Sequence, residues 1–413
     1  MPETKDLVGT VGATKQINLN ELDFIYIICY INLSICDIFI MSMEQRKTLT
    51  REQALYCADI FNDYFGQFDR IDQYMRDQKI SQLDTNNTSA SLFDDDRPED
   101  DLFNDNSISP ENMNFEIKII VNERYDRLLN LVSSHTNMSS VPGKNLKIVV
   151  QETNTKKIVG FIRLSSPVIN MKPRNEMLGQ VPDLKSFNKT SIMGFVIVPV
   201  QPFGFNYLGG KLLAAVCCSH EVREMMNSKY DMDLCLFETT SLYGNSKSSS
   251  QYDGMKPFLR YKGLTDSDFI PLIHGKPYHQ LSEYVEKYVG KLVKDDASSK
   301  KLKLTTSIIG LVKRSLEGDD LKKFNETIVS AKKLTEKKRY YTCSYGIKNY
   351  VNIVNGKEKD IIKDDNYEKH NLKNIIEWWK KKASNRYTNL KKEDRLRNEL
   401  EIWTPNSQIQ IIR

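Results

Sequence analysis

The chain has 413 residues, 40% hydrophobic and 27% charged, and a formal net charge of +5. That length holds two or three compact units, and the composition excludes a collagen-like or wholly disordered chain. The charge is unevenly placed. Asp84–Glu111 carries nine carboxylates against one arginine, while Leu281–Arg413 carries 30 Lys/Arg against 19 Asp/Glu. A basic region favours polyanions, so nucleic acid is the first partner to consider there; a solvated helical surface is the plainer alternative. Seven cysteines with no CxxC pair and five scattered histidines exclude a zinc or disulfide framework, and no metal site is expected. Such thiols suit a reducing cytoplasm.

In chain order, Phe24–Met41 is the one membrane-like run. It is short and interrupted by Asn32, Ser34 and Asp37, so stable membrane insertion is not expected. Residues 1–42 read as a doubtful N-terminal extension from an over-long reading frame, with a signal anchor as the alternative. Residues 43–82 read as a helical segment, since Ala54, Ala58, Phe61, Phe65 and Phe68 recur at three- and four-residue steps. Residues 83–114 are acidic and poor in apolar side chains, the composition of a disordered linker; a mimic of nucleic-acid charge is the sharper alternative.

Residues 115–279 read as the central domain. Phe115–Val121 is a predicted strand and Glu123–His135 a helix; Leu146–Gln151 and Ile158–Leu164 make a hairpin. Met171–Thr190 is an excursion long enough to be a functional loop. Met193–Val198 is a buried strand ended by Pro199, and Phe205–Lys211 (FNYLGGK) opens a helix that runs through Glu224. Leu234–Phe237 returns as a strand carrying Glu238. Residues 280–413 read as a basic, mainly helical region, with a β-like patch at Arg339–Val354 and a last helix across Leu372–Trp403.

A strand, a glycine-rich turn and a helix start expose backbone N–H groups that suit a pyrophosphate. The candidate cofactor-binding residues are therefore Val198 at the strand end, Leu208, Gly209 and Gly210 in the turn, and Lys211 for charge. The alternative is that the glycines only let the helix start pack closely on the strand. In the basic region, Arg339 and Tyr340, then Trp379 with Lys380, Lys381 and Arg386, interleave aromatics with cations as nucleic-acid contacts do. Tryptophans docked in a core, with their lysines solvated, are the alternative.

The order of these elements resembles the central motif of the GNAT N-acetyltransferase family, with Phe258–Thr265 (FLRYKGLT) in the place of its last element. The segments GFIRLSSP (160–167), FVIVP (195–199), GGKLLA (209–214), ETTSLYG (238–244) and KGLT (262–265) are similar to the family of the first protein of the Druantia anti-phage system. Both resemblances cover about a third of the chain. They imply an α+β fold with a GNAT-like mixed sheet flanked by helices, and acyl-CoA as the cofactor. Glu238 would then be the general base, and Tyr243, Tyr252 or Tyr261 would protonate the leaving thiolate. An ion pair of Glu238 with Arg163 is the structural alternative. The implied function is an acyltransferase-like protein of phage or anti-phage origin acting on or near nucleic acid. A non-catalytic nucleic-acid-binding module and a phage structural or interaction protein are the other classes.

Overall fold

The structure is a computed structural model that describes residues 48–85, 97, 100–121, 123–136, 143–241, 249–265, 271–295, 297, 300–334, 337–404 and 406–408. The membrane-like run Phe24–Met41 and Tyr243 lie outside the described residues. No described helix is long and apolar enough to cross a membrane.

The predicted N-terminal helix is two helices, α1 (Arg51–Gly66) and α2 (Ile71–Thr85). The side chain of Thr50 accepts from the Gln53 N–H, and Gln53 reaches back to the Thr50 N–H, a capping box that fixes the start of α1. Seven strands then form one mixed sheet. They are β1 (Phe115–Ile119), β2 (Asn145–Glu152), β3 (Ile158–Ser165), β4 (Ser191–Pro199), β5 (Leu236–Thr240), β6 (Arg260–Leu264) and β7 (Arg339–Cys343). Their order is β1-β2-β3-β4-β5-β7-β6. Every neighbouring pair is antiparallel except β4 and β5, which run parallel.

A parallel pair needs a crossover. Here it is made by α6 (Phe203–Tyr207), α7 (Gly209–Val216) and α8 (His220–Tyr230), after α3 (Glu123–Val132) has linked β1 to β2 and after α4 (Lys172–Leu178) and α5 (Leu184–Thr190) have filled the excursion before β4. β3 is buried along all eight residues, as its unbroken apolar run implies for a central strand. One core packs Leu212, Leu213 and Val216 of the crossover against Phe237 and Tyr341 of the sheet. A smaller core packs Tyr125, Leu128 and Leu129 of α3 against Val149, Phe161, Val196 and Val198, with the Tyr125 hydroxyl donating to the Ile162 carbonyl at 2.8 Å.

The basic C-terminal region is not one unit. The helices α9 (Gly275–Val289), α10 (Lys300–Ser315) and α11 (Gly318–Lys332) lie between β6 and β7 in the chain and share a separate core with α1 through Phe61, Val285, Ile308, Val312 and Phe324. Arg51 of α1 pairs with Asp320 of α11 at 2.5 Å. The chain then returns to the sheet as β7, turns through α12 (Tyr350–Val354), and lays α13 (Leu372–Lys392) on the main core through Ile375, Trp379, Ala383 and Tyr387. So the expected boundary near residue 280 does not separate two packing units. The expected linker is also corrected over residues 100–114. Leu102, Phe103 and Met113 are fully buried, and the Phe103 N–H donates to the Ile158 carbonyl at 2.9 Å. Among the described residues of this segment Leu102, Phe103 and Met113 are spent on the core, which composition averaged over the segment conceals.

Lys79 of α2 is fully buried, with its Nζ donating to the Asn130 carbonyl at 2.7 Å. Burial lowers its pKa to about 7. Between that value and the ordinary lysine value the unfolded chain holds a proton that the folded chain lacks, so stability rises with pH in this window, by at most about 1.4 kcal/mol per pH unit. Thermal melts from pH 6 to 9.5 are expected to show Lys79→Met flattening this rise and melting higher than wild type near pH 6. Superimposable pH profiles of the two proteins would refute the assignment.

Candidate functional site

The strands β4 and β5 pair only at one end. Their register runs from Ser191 opposite Leu236 to Gly194 opposite Thr239, whereas β4 continues beside β3 to Pro199. β5 itself ends at Thr240, one residue past the last pair. Beside that point Leu164 faces Gly194 and Arg163 faces Val196, which leaves Phe195 as a bulge residue of β4, part-exposed at 39%. A bulge bends and twists its strand. The Thr239 hydroxyl donates to the Gly194 carbonyl at 3.0 Å, where the two strands part.

The crossover begins at the same open end. Leu208 holds a left-handed conformation, φ 57°, that ends α6 and starts α7. A Cβ added to Gly209 would lie 2.6 Å from the Phe203 ring, and one added to Gly210 would lie 2.5 Å from the Gln251 side-chain oxygen. The glycines thus make room for α6 and for Gln251, and not for the preceding strand as the packing alternative had it; the start of α7 is covered by Phe203 and Gln251. Lys211 donates to the backbone carbonyls of Gln251 and Asp253, at 2.9 and 2.6 Å. Val198 is buried against α3.

Asp253 is the polar hub of this end. Its carboxylate accepts from the Ser250 N–H at 2.9 Å and the Tyr341 hydroxyl at 2.8 Å, and Arg339 lies 3.4 Å away. Burial works against this charge, but those donors together with Lys211 outweigh it and hold the carboxyl below its ordinary pKa. Tyr261 on the edge strand β6 is exposed and carries the Arg339 guanidinium over its ring at 4.8 Å. Tyr252 is buried with its ring against Tyr341.

Glu238 belongs to a different cluster. It has no exposure, and neither has Arg174 of α4, whose Nη1 donates to the Glu238 carboxylate at 2.9 Å. Arg174 also donates to the carbonyls of Val168 and Ile169, at 2.8 and 2.6 Å, and lies over the Phe187 ring. The second Glu238 oxygen accepts from the Tyr340 hydroxyl at 2.8 Å. Burial pushes the Glu238 pKa up, against the pull of Arg174 and Tyr340. A carboxylate sealed by two donors and no water-facing side is a structural ion pair, not a base poised at a substrate. Its partner is Arg174 and not Arg163, which donates to Asn145. Arg174 was missed by sequence reading because an arginine in a Pro/Lys/Asn-rich excursion carries no sign of being buried.

The expected nucleic-acid contacts do not form one surface. Trp379 and Tyr340 have no exposure. The Trp379 indole donates to the Tyr207 carbonyl at 2.8 Å and its ring meets Phe115 edge-on. Arg386 covers Phe205 and Lys380 pairs with Glu377, while Lys381 projects into solvent. Aromatics locked in a core cannot stack on bases.

Residues 70–247 match the family model for Druantia protein DruA. The match takes in Arg174, Phe195, Lys211 and Glu238, and stops short of Asp253, Tyr340 and Trp379. No curated protein and no solved structure matches the chain.

Proposed function

We propose, from the premise that residues 70–247 belong to the DruA family of the Druantia anti-phage system, that the sheet is an acyl-thioester-binding frame of the GNAT kind. The observation that supports this most is that the parallel β4–β5 ladder ends at Gly194, next to a bulge at Phe195, while β4 stays paired with β3 to Pro199. In the GNAT fold the pantetheine arm of coenzyme A lies in a V-shaped gap between two central strands. On this reading an extended arm is held by the backbone of β4 beyond Gly194, which has no β5 residue paired with it. The residues fit the arm better than they fit the pyrophosphate, since Gln251 and Phe203 stand over the start of α7.

The chemistry that goes with this frame is acyl transfer. An amine nitrogen attacks the thioester carbonyl, the C–S bond breaks, and the thiolate takes a proton from a tyrosine hydroxyl. The nitrogen gives up its extra proton through solvent, which returns one to the tyrosinate, leaving a neutral amide and a free thiol. Among the described tyrosines of the proposed set, Tyr252 is buried and Tyr261 meets solvent at the sheet edge, so Tyr261 is the proton donor we favour; Glu238 is left out of the reaction. The acceptor is proposed to be carried near nucleic acid, with exposed lysines of α13 such as Lys381 and Lys391 supplying phosphate contacts in place of buried Trp379.

Isothermal titration is expected to show acetyl-CoA binding to the full chain, with free pantetheine competing for the same site. Absence of heat and of any melting shift with both compounds at millimolar concentration would overturn the thioester reading. Binding of acetyl-CoA without turnover on amines would move the chain to the non-catalytic class.

A further inference from the structure

We propose that the Asp253 carboxylate is a placeholder in a phosphate-binding cradle built from Lys211, Arg339 and Tyr341. The inference deepens the thioester reading by naming what controls the phosphate end of the site, and it stands on contacts that reading does not use. Three donors from two distant parts of the chain converge on one residue. The Tyr341 hydroxyl and the Arg339 guanidinium come from β7 and reach the carboxylate at 2.8 and 3.4 Å. Lys211 comes from the first turn of α7 and holds the Asp253 backbone carbonyl at 2.6 Å.

The cradle lies where a ligand needs it. Tyr341 pairs with Thr239, the last β5 residue in register with β4, so the cluster sits beside the point where the β4–β5 pairing ends. The same short segment covers the start of α7, because Gln251 stands against Gly210 and its carbonyl accepts from Lys211. Lys382 of α13 adds a further positive charge near Lys211. One carboxylate among two cations and a phenol makes the contacts a phosphate oxygen makes, with one negative charge where a phosphate brings up to two. The segment bearing Asp253 is held down by those contacts. A phosphate-bearing ligand displaces the carboxylate from its donors, and the segment over α7 is released with it.

The test uses the full chain, with inorganic pyrophosphate and acetyl-CoA titrated separately at low ionic strength. Asp253→Asn keeps the shape and removes the competing charge, so pyrophosphate is expected to bind at least fivefold more tightly than to wild type. Adding Lys211→Met to that variant is expected to abolish the gain. Asp253→Ser, which keeps an acceptor for the Ser250 N–H, serves if Asp253→Asn melts lower than wild type, and is expected to show the same gain. Equal or weaker pyrophosphate binding by both variants overturns the placeholder, whatever acetyl-CoA does. Tighter pyrophosphate binding with no acetyl-CoA binding upholds the cradle and sinks the thioester reading. Acetyl-CoA binding that neither variant alters, with no gain for pyrophosphate, does the reverse.

Discussion

Arg174→Met is expected to cost about 3–5 kcal/mol of folding stability, because it leaves the Glu238 carboxylate buried without its counter-charge. Two backbone carbonyls, of Val168 and Ile169, lose their donor in the same step. Glu238→Gln is expected to fall in the same direction, since the guanidinium then stays buried opposite a neutral amide. The two residues act as a pair, so the double change Arg174→Met with Glu238→Met is expected to be less destabilising than the sum of the single changes. Urea unfolding of Arg174→Met, Glu238→Met and the double variant measures this, with Glu238→Gln run beside them. An additive cycle, or a Glu238→Gln protein as stable as wild type but devoid of acyl transfer, would return Glu238 to the role of base. Tyr340→Phe removes only one neutral donor and is expected to cost about 1–2 kcal/mol.

The strand Phe115–Ile119, the hairpin before Ser165 and the strand Ser191–Pro199 were legible because each is a local apolar run. The strand expected at Leu234–Phe237 is shifted to Leu236–Thr240, and the one crossover helix expected through Glu224 is broken into α6, α7 and α8, with Ser219 capping the last of them. What could not be read is what the sheet gathers from afar. Arg174 meets Glu238 across 64 residues and Tyr340 meets it across 102, and no periodicity links three such positions. The β-like patch at Arg339–Val354 was legible as a strand over Arg339–Cys343, while Tyr350–Val354 forms α12 instead. What stayed hidden was the pairing of β7, because its partners β5 and β6 lie on the far side of three inserted helices. Asp253 stood out only as part of a polar loop; its donors Tyr341 and Lys211 are 88 and 42 residues away. Charge patterning misled in one direction throughout. It treated aromatics beside lysines as exposed, whereas one helix face buries Trp379 while the neighbouring face solvates Lys381.

Trp379→Ala is therefore expected to act on folding and not on base stacking. The indole is fully buried between the crossover and β1, with Phe203 and Phe115 against its ring and the Tyr207 carbonyl on its N–H. Removing it opens a large cavity in the main core and leaves that carbonyl without its donor, a loss of about 3–5 kcal/mol. Retention on single-stranded DNA, compared at equal fractions folded, is expected to stay at the wild-type level. The charge of α13 behaves in the opposite way. Lys381→Glu and Lys391→Glu touch exposed positions, so stability is expected to change by less than about 0.5 kcal/mol. If the helix contacts phosphates, the same changes lower the salt concentration of elution and flatten the log–log salt slope by roughly one unit per lost contact. A Trp379→Ala protein that keeps wild-type stability yet loses single strands would place the indole at the surface and reverse the fold's account of α13. Lysine variants that elute with wild type at every salt concentration would leave the basic face as solvation alone, and the proposed nucleic-acid partner would fall while the thioester reading stands.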